Sequence, residues 1–149
     1  MCSIHHMTTA TTTASYDQVR NEIEGTFGIF PGFFEGVPKD VMAQMWPIMK
    51  KFIFGESVIP PKYREMIGLA VAATLKCPYC EIFHRGAAKM NGATDEELAE
   101  VGVLAGQTSF WSSILHAQHY DIDKFTKEFN AIGEHFAKQQ QEQEQQQQK

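Results

Sequence analysis

The chain has 149 residues, 43% of them apolar and 21% charged, with a formal net charge of -5, which is the range of one soluble globular domain and not of two. Thirteen Lys and Arg against eighteen Asp and Glu leave no cationic surplus for a phosphate backbone or an anionic bilayer, so neither nucleic acid nor a membrane is an expected partner. The longest apolar stretch, Met66 to Leu75, is interrupted by Gly68 and Thr74 and is well short of the ~20 residues a bilayer span needs.

Met1 to Met7 and the Thr/Ala run after them lack a basic region leading into an apolar core, so no secretory signal is read and the expected location is the cytoplasm. Residues 1–14, and the Gln-rich residues 139–149, lack the apolar side chains that would offset the entropy of ordering. Both ends are expected to be disordered, leaving one domain over residues 15–138. Alternating β-branched runs are absent while helix punctuation recurs, so the fold class is all-α, with six to seven helices.

Ser15 with Gln18 forms a capping box for a first helix to about Gly25. The stretch Gly28 to Gly36 is a loop whose Ile29, Phe30, Phe33 and Phe34 belong to the core or to a subunit interface. Pro38 opens a second helix to about Phe54, in which Pro47 should produce a kink or a break. Pro60 and Pro61 start a third, Lys62 to Lys76, whose small residues Gly68, Ala70, Ala72 and Ala73 let another helix approach closely; it is the most buried candidate. A fourth runs from Pro78 to Asn91 and is capped by Gly92. Thr94 with Glu97 is a second capping box, for a helix to about Ala105. Two more are expected over about Ser109 to Tyr120 and Asp123 to Lys138, the last with Phe125, Phe129, Ile132 and Phe136 at helical spacing.

Three cysteines cannot form a disulfide framework, but Cys77 and Cys80 make a Cys-x-x-Cys pair; Cys2 receives no role. Cys77 stands at an N-cap position, Pro78 at the first helical position and Cys80 in the first turn, where unpaired N–H groups and the positive end of the helix dipole favour a thiolate. His84 follows Cys80 by four residues, on the same helical face, and can take the thiol proton or stabilise the thiolate. Glu65 lies twelve residues before Cys77, about 18 Å along one helix, and cannot reach that sulfur. If the third and fourth helices form an antiparallel pair, Glu65 is offset from His84 by roughly 8 Å along the axis, a gap that a carboxylate and one bridging water could span. The expected order is Cys80, His84, water, Glu65.

Glu65, eleven residues, Cys77-Pro-Tyr-Cys80, three residues, His84, then the helix start Gly92-Ala93-Thr94-Asp95-Glu96-Glu97-Leu98, resembles the alkylhydroperoxidase D branch of the carboxymuconolactone decarboxylase family over residues 60 to about 105. The resemblance implies an all-helical fold that assembles into a homo-oligomer, trimer or hexamer. It implies thiol peroxidase or disulfide reductase chemistry without a metal or organic cofactor. Cys80 would be the attacking sulfur, Cys77 the resolving one, and His84 with Glu65 the proton relay. Founding members of that branch carry a histidine immediately before the second cysteine, where this sequence has Tyr79. A phenol is a poor base at neutral pH, so dithiol exchange is more strongly implied than efficient peroxide reduction.

The combined reading is a thiol-disulfide oxidoreductase that reduces hydroperoxides in antioxidant defence, its pair reset by an external dithiol or a disulfide-carrying protein. A zinc site, with His84 as third ligand and Glu65 or His116 as fourth, would lack a second ligand pair of suitable spacing. Cofactor-free decarboxylation, the chemistry of the family's other branch, does not need Cys77 and Cys80. A non-catalytic helical assembly module would leave His84 and Glu65 without a purpose. Glu81 and Arg85, four apart, read as a solvated pair, and His116 and His119 as hydrogen bonders of the surface or core.

Overall fold

Local signals set most helix ends in the computed structural model, which describes residues 14–147. The Gln18 N–H donates to Ser15 Oγ at 3.3 Å and the Ser15 N–H donates to Gln18 Oε1 at 2.8 Å, the reciprocal cap that opens α1 (Tyr16–Phe27). Gly28 closes it at φ 76°, a left-handed conformation that glycine adopts without a Cβ clash. A 3-10 turn at Gly32–Phe34 precedes α2 (Lys39–Ile53), which runs without a break through Pro47. Proline there removes one helix donor. The helix persists because Met42, Ala43 and Trp46, in the turn before it, are buried in a core shared with α1.

The described residues pack as two compact units, divided inside the third helix between Arg64 and Glu65. In the first unit Val19, Ile23, Phe34, Met42, Ala43 and Trp46 form the core, and Phe27 meets both Trp46 and Phe54 edge-on. The Trp46 indole N–H donates to Glu22 Oε2 at 3.0 Å, and Lys50 pairs with the same carboxylate. Lys50 holds the Glu22 carboxyl below its ordinary pKa, against an opposing effect of burial. Of the loop's apolar residues only Phe34 is buried; Ile29 and Phe33 are exposed.

The second unit holds most of α3 (Pro61–Leu75) together with α4 (Pro78–Met90), α5 (Asp95–Ala117) and α6 (Ile122–Gln147). No strand occurs among the described residues. Its core is Leu69, Ala88, Ala93, Leu98 and Val101, with Met66 and Ala70 packed on it. The third helix is not the deeply buried one expected: it buries Glu65, Leu69 and Ala72, while Ile67, Val71 and Leu75 are exposed. It is apolar on more than one face, and only one face is packed in the unit.

The fifth and sixth predicted helices are one helix, α5. The sequence reading ends one helix at about Ala105 and starts the next at about Ser109, yet Gly106 between them has no positive φ, and the Thr108 and Ser109 hydroxyls donate back to the carbonyls of Leu104 and Ala105 instead of capping a new start. Asp121 caps α6 by accepting the Lys124 N–H at 2.7 Å. That helix continues to Gln147 through residues expected to be disordered. Gln and Glu are good helix formers, and a helix already nucleated over its amphipathic half is extended without a new nucleation cost. The disorder expected for residues 1–13 and 148–149, and with it Cys2, lies outside the described residues.

Candidate active site

Helix α3 ends on a left-handed residue, Lys76 at φ 57°. The Lys76 N–H reaches the Ala73 carbonyl at 3.4 Å and the Cys77 N–H reaches the Ala72 carbonyl at 3.1 Å, the paired bonds of a Schellman cap. Cys77 is therefore the last residue of one helix cap and the first of the next. Its extended backbone, at φ -93° and ψ 100°, makes it the N-cap of α4, and its Sγ accepts the Cys80 N–H at 3.3 Å. Pro78 at the first helical position needs no partner for a missing N–H. Cys77 and Cys80 are joined as a disulfide, with Cα atoms 5.4 Å apart, and both are partly exposed.

One turn further along α4, His84 Nδ1 lies 2.8 Å from Glu65 Oε2 of α3, with the Glu65 side chain 5% exposed and that of His84 28%. The contact is direct, where the sequence reading places a water between them. Counting residues along two axes overstated the gap, because the imidazole lies over Gly68, only about 4.5 Å along the axis from Glu65 and within the reach of its side chain. A carboxylate can only accept, so the bond runs from Nδ1–H to Glu65 and Nε2 is the ring nitrogen left to meet another group. Among the described residues Glu65 is the hydrogen-bond partner of the His84 ring. Cys80, one turn away on the same face, has its sulfur turned to Cys77 and makes no hydrogen bond with the ring.

Of two further neighbours of the site, Phe83 is not singled out by sequence reasoning and Gly68 only as one of the small residues that let another helix approach. The Phe83 ring meets the His84 ring edge-on at 5.2 Å, and Gly68 faces the imidazole with no side chain between them. Arg85 pairs with Asp95 at 3.2 Å and not with Glu81; Lys89, 2.7 Å from Asp95, and Arg85 together hold that carboxyl below its ordinary pKa. Arg64 donates to the Gly55 carbonyl at 3.0 Å and leaves Glu65 to the histidine. His116 and His119 lie at the end of α5, where His116 Nδ1 is 2.8 Å from the Ser112 carbonyl, so the structure does not bring them to Glu65 and His84. Among the described residues no three His, Cys, Asp or Glu side chains are grouped to hold a metal ion, and no helix is long and apolar enough to cross a membrane. The arrangement can carry two electrons on a sulfur pair and a proton on the adjoining imidazole.

The sequence profile of the Carboxymuconolactone decarboxylase family matches residues 40–120. The crystal structure of the alkylhydroperoxidase AhpD core from Rhodospirillum rubrum resembles this one with a TM-score of 0.64 and 27% identity, covering 73% of this chain and 83% of that one. A Paracoccus denitrificans protein described as uncharacterized protein 4 in cox locus is 28% identical over 69 residues, 46% of this chain, and the match spans 62% of that protein's length.

Proposed function

This chain belongs to the carboxymuconolactone decarboxylase family, in its alkylhydroperoxidase D-like branch, and from that premise we propose that it is a thiol-disulfide oxidoreductase that reduces hydroperoxides for antioxidant defence. The observation that carries the reading is a disulfide at a helix start, one turn from a histidine held by a buried carboxylate. In the reduced enzyme His84 takes the Cys80 thiol proton and the thiolate attacks the terminal peroxide oxygen; the O–O bond breaks, His84 passes that proton to the departing alkoxide, and an alcohol and a Cys80 sulfenic acid result. The Cys77 thiol then attacks the sulfenic sulfur, releasing water and forming the Cys77–Cys80 disulfide. An external dithiol gives up two electrons and two protons through a mixed disulfide and restores both thiols. With a disulfide as oxidant, the first two steps become a pair of exchanges at the same sulfurs.

Helix α4 supports the assignment of two distinct sulfurs: its N-terminal N–H reaches Cys77, while His84 shares a face with Cys80. The working compartment proposed is the reducing cytoplasm, which keeps an external dithiol available. We also propose that the protein is a homo-oligomer, trimer or hexamer.

The test is turnover with a dithiol donor and either an alkyl hydroperoxide or a model disulfide. The wild type should reduce at least one of them, Cys80→Ser should have no turnover, and Cys77→Ser should accumulate a mixed disulfide or sulfenic acid on Cys80. Retention of activity by the variant lacking both thiols would overturn the reading.

A further inference from the structure

Gly68 occupies the middle of α3, a position where glycine is less favourable than alanine and where no turn or positive φ calls for it. A Cβ built there would lie 2.5 Å from both Cε1 and Nδ1 of His84 and 2.8 Å from its Cγ. Those separations are far inside van der Waals contact, and Nδ1 is the atom that bonds to Glu65. By contrast, Gly86 on α4 and Gly102 on α5 have nothing within 4 Å of the same construction. The empty side-chain volume at Gly68 is thus filled by the imidazole itself.

We propose that Gly68 is a positioning residue: by lacking a side chain it seats the His84 ring flat against α3, at the depth where Nδ1 meets the buried Glu65 carboxylate and Nε2 is presented as the acceptor. Any side chain at position 68 displaces the ring from α3 and separates it from Glu65. Phe83, edge-on to the ring, limits its motion on the α4 side. The effect on chemistry rests on the relay assigned to His84 and Glu65 above; the ring's position does not.

Gly68→Ala tests this, with Gly86→Ala as control, because both substitutions improve helix propensity and only one intrudes on the ring. In 15N-histidine-labelled protein, with the His84 signals assigned through His84→Gln, Gly68→Ala should shift the His84 ring nitrogens and lose the Nδ1-protonated signature. Gly86→Ala should leave them in place. Alkylation of reduced Cys80 near neutral pH should fall about as far in Gly68→Ala as in His84→Gln and be unchanged in Gly86→Ala. In a His84→Ala background, where the ring is gone, Gly68→Ala should raise the melting temperature; if it instead prevents folding there, the space does not serve the ring and the proposal is overturned. Unmoved His84 nitrogens in Gly68→Ala would overturn it equally. Moved nitrogens with unaltered Cys80 reactivity would uphold the positioning role and overturn the relay.

Discussion

Glu65 is a carboxylate at 4% exposure in direct contact with an imidazole, and burial of that kind is tolerated where a charged acceptor has a committed donor. The direct bond changes what substitution should do. His84→Gln removes the acceptor and should lower Cys80 alkylation near neutral pH by at least tenfold, since a positioned proton acceptor typically contributes about 100-fold to 10,000-fold. Glu65→Gln keeps an acceptor for Nδ1–H but loses the charge, and should give an intermediate loss, larger than a water-mediated contact would predict. Both losses should shrink as pH rises toward the thiol's own pKa, because solvent then supplies the thiolate. Alkylation rate against pH for the three proteins decides this, and three superimposable curves would leave the start of α4 as the sole activator.

Three helix ends are built alike. At Lys76, Gly92 and His119 the chain turns left-handed, and two hydrogen bonds of the Schellman pattern close the preceding helix, α3, α4 and α5 in turn. Only one of the three is glycine, Gly92. A non-glycine residue in this conformation costs roughly 1–2 kcal/mol, partly offset by the entropy that glycine loses on folding. Lys76→Gly should therefore stabilise the protein by up to about 1 kcal/mol, read as a rise in the denaturant midpoint at constant slope. Lys76→Val should destabilise it. Because Cys77 serves both helices, the Val variant should also alter the reactivity of the pair, and a Val variant with wild-type stability would show that this turn is not held by the cap described.

At the scale of the whole molecule, α6 has no buried residue over 122–146, and its Ile122, Phe125, Phe129, Ile132 and Phe136 recur at intervals of three and four residues as one exposed stripe. Phe110 and Trp111 of α5 are likewise more than half exposed, at 58% and 53%. A stripe at this spacing is a seam that another helix can fill, and contiguous apolar surface on this scale marks an interface. Light scattering at micromolar concentration should therefore give the mass of an oligomer. Glu at both 129 and 132, Phe129→Glu with Ile132→Glu, should reduce it to a smaller species with helicity retained. A monomeric wild type would refute the proposed self-association.

What the sequence by itself determined is what neighbours within about four residues decide. The Ser15–Gln18 and Thr94–Glu97 caps, the Cys77 N-cap with Pro78 after it, and the absence of strands among the described residues follow from propensity and from side chains that reach their own backbone. The pairing of Glu65 with His84 was legible in kind but not in distance, since helix rise counts Cα positions and cannot show that a glycine admits the ring. Only the tertiary structure decided that Arg85 turns to Asp95, that α2 passes through Pro47, and that the third helix is half exposed. Each of these depends on which distant surfaces meet, and a local signal yields when the burial gained elsewhere exceeds the one hydrogen bond or the fraction of a kcal/mol that the signal carries.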